Sequence, residues 1–116
     1  MTKYIDHFID TMAKDIENAV VLPPEKWLER AFMLNTFRSK EIDKPLYTLN
    51  SVLAKKKAEL MRDMNMTSAK SKTMIEAEDD FLEAQILKAK QTTVTEYIRI
   101  AKLWSKTVED EYKSTR

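Results

Sequence analysis

The chain has no glycine in 116 residues. Soluble proteins carry about 7%. Glycine supplies the positive-φ positions of tight hairpins, left-handed helix ends and phosphate-cradling loops. Its absence argues against a meander of strands. It also excludes a Gly-rich nucleotide loop and a G-x-S-x-G nucleophile elbow. What remains is helix joined by polar or Pro-containing connections. The expected fold class is all-α: an elongated helical hairpin with a short N-terminal amphipathic helix. We expect one domain over residues 1–116, working as a homo-oligomer.

Composition narrows the function classes. Charged residues make up 34% of the chain and mean hydropathy is −0.50, which suits long amphipathic helices with much solvated surface. Such helices bury an apolar stripe against each other or against copies of themselves. There is no cysteine, hence no disulfide, thiolate nucleophile or zinc–thiolate site. No apolar run approaches the roughly 18 residues of a membrane span. Asp6 and Asp10 interrupt any leader-like apolar run at the start. The expectation is a cytoplasmic protein with no membrane partner.

Net charge is +1, but it is segregated. Residues 1–50 carry −1, 51–72 carry +4, 73–87 carry −5 and 88–116 carry +3. A nearly neutral protein with a basic block still presents a local electrostatic footprint.

Hydrophobic spacing assigns the elements. Ile5, Phe8, Ile9, Met12, Ala13 and Ile16 form a helical stripe and predict a helix over 3–18. A connection leads to Pro24 at the first turn of a second helix, 24–64. Trp27, Leu28, Ala31, Leu34 and Ile42 mark its buried side, and Leu46, Leu49, Val52, Leu53 and Leu60 resume the stripe. Pro45 predicts a kink or break between Lys40 and Leu46, since an interior proline costs about 3 kcal/mol. The short polar side chains of Asn65 to Lys72 predict a loop. Thr73-Met74-Ile75-Glu76 fits a capping box opening a long helix over 73–113. One seam of that helix runs Leu82, Ile86, Ala89, Thr93, Tyr97, Ile100, Trp104 and Val108. A second runs Leu87, Val94, Ile98 and Ala101. Two adjacent rows make a face too wide for one partner. The expected oligomer interface is Leu82, Ile86, Leu87, Val94, Tyr97, Ile98, Ile100 and Trp104.

Catalytic chemistry finds little footing. His7 is the only histidine and no triad partner accompanies it. Glu76, Asp79, Asp80 and Glu83 share one helical side. They lack the Glu-x-x-His pairs of di-metal bundles and sit well near a helix N-terminus. Their more specific reading is an acidic patch that competes with an anionic ligand. We expect no catalytic residue, metal or cofactor, and no enzymatic activity. Lys55, Lys56, Lys57, Arg62, Lys70 and Lys72 are the candidate nucleic-acid-binding surface. Lys55 and Arg62 share one side of a helix while Lys56 and Lys57 fan around it. The plain alternative is a solvated helix face. Trp27 and Trp104 stand at core spacing; Phe37 and Tyr47 are less clearly core.

The layout carries a resemblance. A short leading helix precedes Lys26-Trp27-Leu28. A basic stretch follows, Ala54-Lys55-Lys56-Lys57-Ala58-Glu59-Leu60. After a Ser- and Lys-containing loop comes an acidic restart, Ala77-Glu78-Asp79-Asp80-Phe81-Leu82-Glu83, and then a long last helix. Over about residues 14–116 this order resembles the UvsY family of recombination mediators of T4-like phages. The resemblance implies a ring-like homo-oligomer that binds single-stranded DNA and helps load a RecA-type recombinase against the single-strand-binding protein. It implies that Lys55, Lys56 and Lys57 contact the strand, and a host-cytoplasm setting. The reading from a different class is a small phage protein-interaction factor, an inhibitor or assembly protein, that binds through an acidic or apolar helical face.

Overall fold

The computed structural model describes residues 3–114, and the side chains of 4–111. Every regular element among them is helical. Helix α1 spans Lys3–Glu17 and α2 spans Pro24–Arg38. A π-helical turn, Ser39–Asp43, leads into α3, Lys44–Asp63. Helix α4 spans Ser68–Glu76 and α5 spans Asp79–Ser114.

Cross-links fix how these helices lie. Lys56 on α3 meets Glu78 just before α5, Asp43 meets Gln91, Arg38 meets Thr95, and Trp27 meets Trp104. The Ser105 hydroxyl donates to the Pro24 carbonyl at 3.1 Å. Helix α5 therefore runs back along α3, the π turn and α2 in turn. The molecule measures 71 × 23 × 21 Å with a radius of gyration of 19.7 Å. A compact chain of this length would give about 13 Å.

Helix α1 packs on α2 and α5 with its stripe inward, and Ile5 and Met12 are fully buried. The Glu41 carboxylate caps its start. It accepts from the Tyr4 N–H at 2.9 Å and the Ile5 N–H at 3.3 Å. Two orphan donors are satisfied there by a negative group at the positive helix end. At the other end Ala19 takes the left-handed conformation, φ 50°. The Ala19 N–H returns to Ile16 and the Val20 N–H to Asp15. This is the Schellman closure that glycine normally makes, here made by alanine.

Pro45 is accommodated by widening the helix. The Lys44 N–H bonds back five residues to the Ser39 carbonyl. A regular turn would drive the proline ring into the Glu41 carbonyl, and the π turn inserts one residue to avoid it. Arg38, Asp43 and Lys44 keep right-handed helical dihedrals, so the chain passes from α2 into α3 without a loop.

Three boundaries differ from the sequence reading. The expected loop 65–72 shrinks to the turn after Asp63, where Asn65 takes φ 54° and the Met66 N–H bonds to the Leu60 carbonyl. Residues 68–76 are helix α4. Thr67 is its cap, accepting from the Lys70 N–H at 3.2 Å, and the buried Ser71 hydroxyl donates to the Thr67 carbonyl. Thr73 opens no helix. It lies inside α4, its hydroxyl donating to the Ala69 carbonyl. The long helix starts at Asp79 instead of residue 73, after a turn in which the Glu78 N–H bonds to Ile75. Leu28, read as buried, is 53% exposed. It follows Trp27, and one residue of rotation carries it from the seam to the outside.

Candidate nucleic-acid interface

The three consecutive lysines of α3 diverge, because each residue turns the helix by about 100°. Lys55 and Arg62 stand opposite the buried Leu53, away from α5. Lys56 swings to one flank. Its ammonium donates to Glu78 at 2.7 Å and lies 3.5 Å from Asp80. The Glu78 hydrogen bond raises its pKa, with partial desolvation opposing. Lys57 swings to the other flank and lines a groove between α3, α4 and α5. Arg62 donates to its neighbour Asp63 at 2.9 Å, and Lys72 lies 4.0 Å from Glu76. Lys55, Lys57 and Lys70 form no ion pair among the described residues.

The six cations are thus not one surface, and half of them already have carboxylate partners. The acidic stripe is divided as well. Glu76 ends α4, whereas Asp79, Asp80 and Glu83 belong to α5. The carboxylate that binds Lys56 most closely, Glu78, lies in the turn between them.

The expected interface also separates into parts. Leu87, Val94 and Ile98 are buried in the chain's own core, so they are removed from the oligomer surface. Tyr97, Ile100 and Trp104 pack half-buried against that core. Leu82 and Ile86 are 58% and 49% exposed. The second seam is the intrachain seam, and only the early part of the first lies open.

The tryptophans pack on each other. Trp104 meets Trp27 edge-on at 4.9 Å, and Arg30 covers the Trp27 ring at 5.5 Å. Phe37 stacks on Tyr4 and Phe8, each at 5.3 Å. His7 is exposed and edge-on to Phe8. Among the described residues no group of histidine, cysteine, aspartate or glutamate could hold a metal ion.

The groove beside Lys57 is what the sequence reading missed. Its volume is about 500 Å³. Its polar lining is Asn50, Lys57, Gln85, Lys88 and Gln91, with Phe81 as its aromatic wall, and no carboxylate lines it. From Lys88 and Gln91 a polar row continues along α5 through Thr95, Arg99, Lys102 and Lys106. Steps of three and four residues keep it on one flank. The row from Lys88 to Lys106 is about 27 Å long at 1.5 Å per residue.

Helix α1 lies on the opposite flank, where Asp6 pairs with Lys90 at 2.9 Å and Asp15 with Arg30. Burial lowers the Arg30 pKa there. Lys88 and Lys90 are two residues apart, about 200° around the helix. They fall on different sides for that reason.

Two carboxylates of the open flank are already matched, while Glu109 and Asp110 follow Lys106 at its far end. Asp43 accepts from Gln91 at 2.8 Å and lies 3.7 Å from Arg38. Glu96 accepts from Arg99 Nε at 3.1 Å. That hydrogen bond lowers the Glu96 pKa and raises that of Arg99. Lys57, Lys88, Lys102 and Lys106 form no ion pair among the described residues. The flank therefore carries four unmatched cations beside hydroxyls and amides, a lining suited to phosphate oxygens.

Among the described residues no helix is long and apolar enough to cross a membrane. The chain matches no known protein family, no curated protein and no solved structure.

Proposed function

We propose that the chain is a non-catalytic, single-stranded-DNA-binding accessory protein of recombination. The strand lies along the flank of α5 that α1 leaves open. The observation that carries this reading is the row Lys88, Thr95, Arg99, Lys102 and Lys106, extended by Lys57 across the groove, on a flank where Asp43 and Glu96 are already neutralised. Phe81, half-buried in the groove wall, offers an aromatic edge to a base. Copies of the chain associate through the open apolar strip of Leu82 and Ile86, which repeats the basic row and strengthens binding by avidity. Delivery of the strand to a RecA-type recombinase, against a single-strand-binding protein, follows from the family resemblance.

The test is a salt titration of binding to a labelled oligothymidine. Each phosphate contact contributes about −0.7 to the slope of log K against log salt. Engagement of the four unmatched lysines gives a slope near −3 per subunit by the same arithmetic. A flat response would replace this reading with the protein-interaction factor. Leu28 and Phe32, both exposed and one turn apart on α2, would then be the first surface to examine.

A further inference from the structure

The groove between α3, α4 and α5 offers a strand more than a basic rim. Its floor is apolar, with Leu53, Ile75 and Ala84 buried there. Lys57 stands on the α3 wall and Lys88 on the α5 wall, and neither has an ion-pair partner among the described residues. The other polar groups are three amides, and they differ in freedom. Asn50 and Gln85 are exposed and make no side-chain hydrogen bond among the described residues. Each can turn either end of its amide to a ligand. Gln91 cannot. Its Nε2 donates to the Asp43 carboxylate at 2.8 Å.

An ionised carboxylate only accepts, so it fixes which end of the Gln91 amide faces it. Gln91 Oε1 is left as an acceptor with no donor among the described residues. Gln91 stands at the end of the groove, where it also lines the depression around Arg38 and Asp43. The slot therefore combines an aromatic wall, a cation on each side and one acceptor of fixed sense.

We propose that the groove receives one base of the bound strand and selects a base with an exocyclic amine where thymine carries O4, that is adenine or cytosine. The inference rests on strand binding along α5 and deepens it. The base lies against Phe81. The phosphates on either side of it lie towards Lys57 and Lys88. Its amine donates to Gln91 Oε1. Adenine N6 and cytosine N4 are donors, whereas thymine O4 is an acceptor. An acceptor set against Oε1, with the Asp43 charge behind it, is repelled. The thymine N3–H does not relieve this, because a carbonyl oxygen flanks it on each side. The lysines hold the strand without reading it, and Gln91 adds reading at one position per subunit.

Fluorescence anisotropy with short labelled oligothymidines, each carrying one replaced base at its centre, tests the selection. Two pairs separate the amine from ring size: adenine against hypoxanthine, and cytosine against uracil. Within each pair a carbonyl oxygen replaces the amine. The amine member of each pair should bind tighter by about five-fold, the size of one hydrogen bond. Gln91→Ala should abolish both preferences and leave the salt slope of the parent, because no phosphate contact is lost. Asp43→Asn is the second variant. It lets the Gln91 amide turn either way, and should shrink both preferences with helical content unchanged. Equal binding within each pair, at a normal salt slope, overturns the base selection and leaves strand binding standing. A preference that survives in Gln91→Ala also overturns it. So does a preference for purines with or without the amine, which leaves Phe81 as a stacking surface only. No salt-dependent binding of any oligonucleotide overturns both readings.

Discussion

The two ends of this rod are built differently. Around Trp27 and Trp104 three helices meet. Around Leu53 and Ala84 only α3 and α5 run side by side, with α4 packed against their end through Ile75. Of the side chains buried to below 2% exposure, Trp27, Ile5, Met12, Leu34, Ile42 and Val94 belong to the three-helix end or its border. Among the described residues only Ser71 belongs to the other. Leu46, Leu53, Ile75 and Ala84 retain slight exposure. A third helix closes one flank of the pair. Where it is absent, the same pair exposes Leu82, Ile86 and Val52 on one flank and the polar groove on the other. Stability concentrates at one end, and open surface at the other.

The sharpest way to break this contrast is to remove one core side chain from each end. Trp27→Ala should cost about 3–5 kcal/mol, enough to unfold a chain of ordinary marginal stability. Leu53→Ala should cost about 2 kcal/mol, the low end of the range for a leucine beside a groove that can collapse. Urea unfolding of both variants checks the order. Hydrogen exchange on the unmodified protein should show the amides of residues 46–63 opening at lower free energy than those of 94–105. Equal costs and uniform protection would erase the distinction between the ends.

Assembly tests what the open end is for. Leu82→Ser with Ile86→Ser should lower the mass measured by sedimentation while leaving helical content unchanged, because both side chains are about half exposed or more. An unchanged mass above that of the monomer would place the subunit contact elsewhere. Such variants should leave the three-helix end undisturbed.

The smallest effect lies at the turn that returns α1 to α2. Ala19 holds φ 50°. A left-handed conformation costs a residue with a Cβ about 1–2 kcal/mol. Glycine there would forfeit about 0.4–1 kcal/mol through a more flexible unfolded chain. Ala19→Gly should therefore stabilise the protein by up to about 1.6 kcal/mol, read as a rise in urea midpoint. A lower midpoint would mean that the Ala19 methyl contributes packing that outweighs the backbone relief.

The same contrast explains what could be read from the sequence. The α1 stripe is legible because Ile5, Phe8, Ile9, Met12 and Ile16 repeat at helical spacing and nothing competes. Core spacing marks both Trp27 and Trp104, but it points Trp104 to a subunit interface, and only the structure pairs it with Trp27. Helix α4 is not legible in the same way. Its Ser68, Ser71 and Thr73 carry a turn-like composition, yet Ser71 and Thr73 satisfy their hydroxyls on carbonyls one turn back and the helix continues. Thr73-x-x-Glu76 matches a capping pattern, while the actual cap, Thr67, stands six residues earlier.

The basic site shows a different limit. Three adjacent lysines attract attention as a block, but a helix sends adjacent residues to different sides. The spaced row of Lys88, Lys102 and Lys106 was present in the sequence and looked like any solvated face. Its meaning depends on which flank α1 covers. That is set by Asp6 reaching Lys90 and by Glu41 capping α1, contacts between residues far apart in the chain. The accommodation of Pro45 by a π turn was likewise beyond local pattern, since a kink, a break and a widened turn satisfy the same local constraint.

The central claim is that the open flank of α5, and not the lysine cluster of α3, holds the strand. One salt titration of oligothymidine binding decides between them when run on two variants, with circular dichroism to confirm folding. The first carries Lys88→Ala, Lys102→Ala and Lys106→Ala. The second carries Lys55→Ala, Arg62→Ala and Lys70→Ala. The account predicts that the first loses affinity and its slope flattens by about 2, three contacts at about 0.7 each, while the second binds nearly as the unmodified protein does. Retained binding and an unchanged slope in the first variant, with loss in the second, would contradict it.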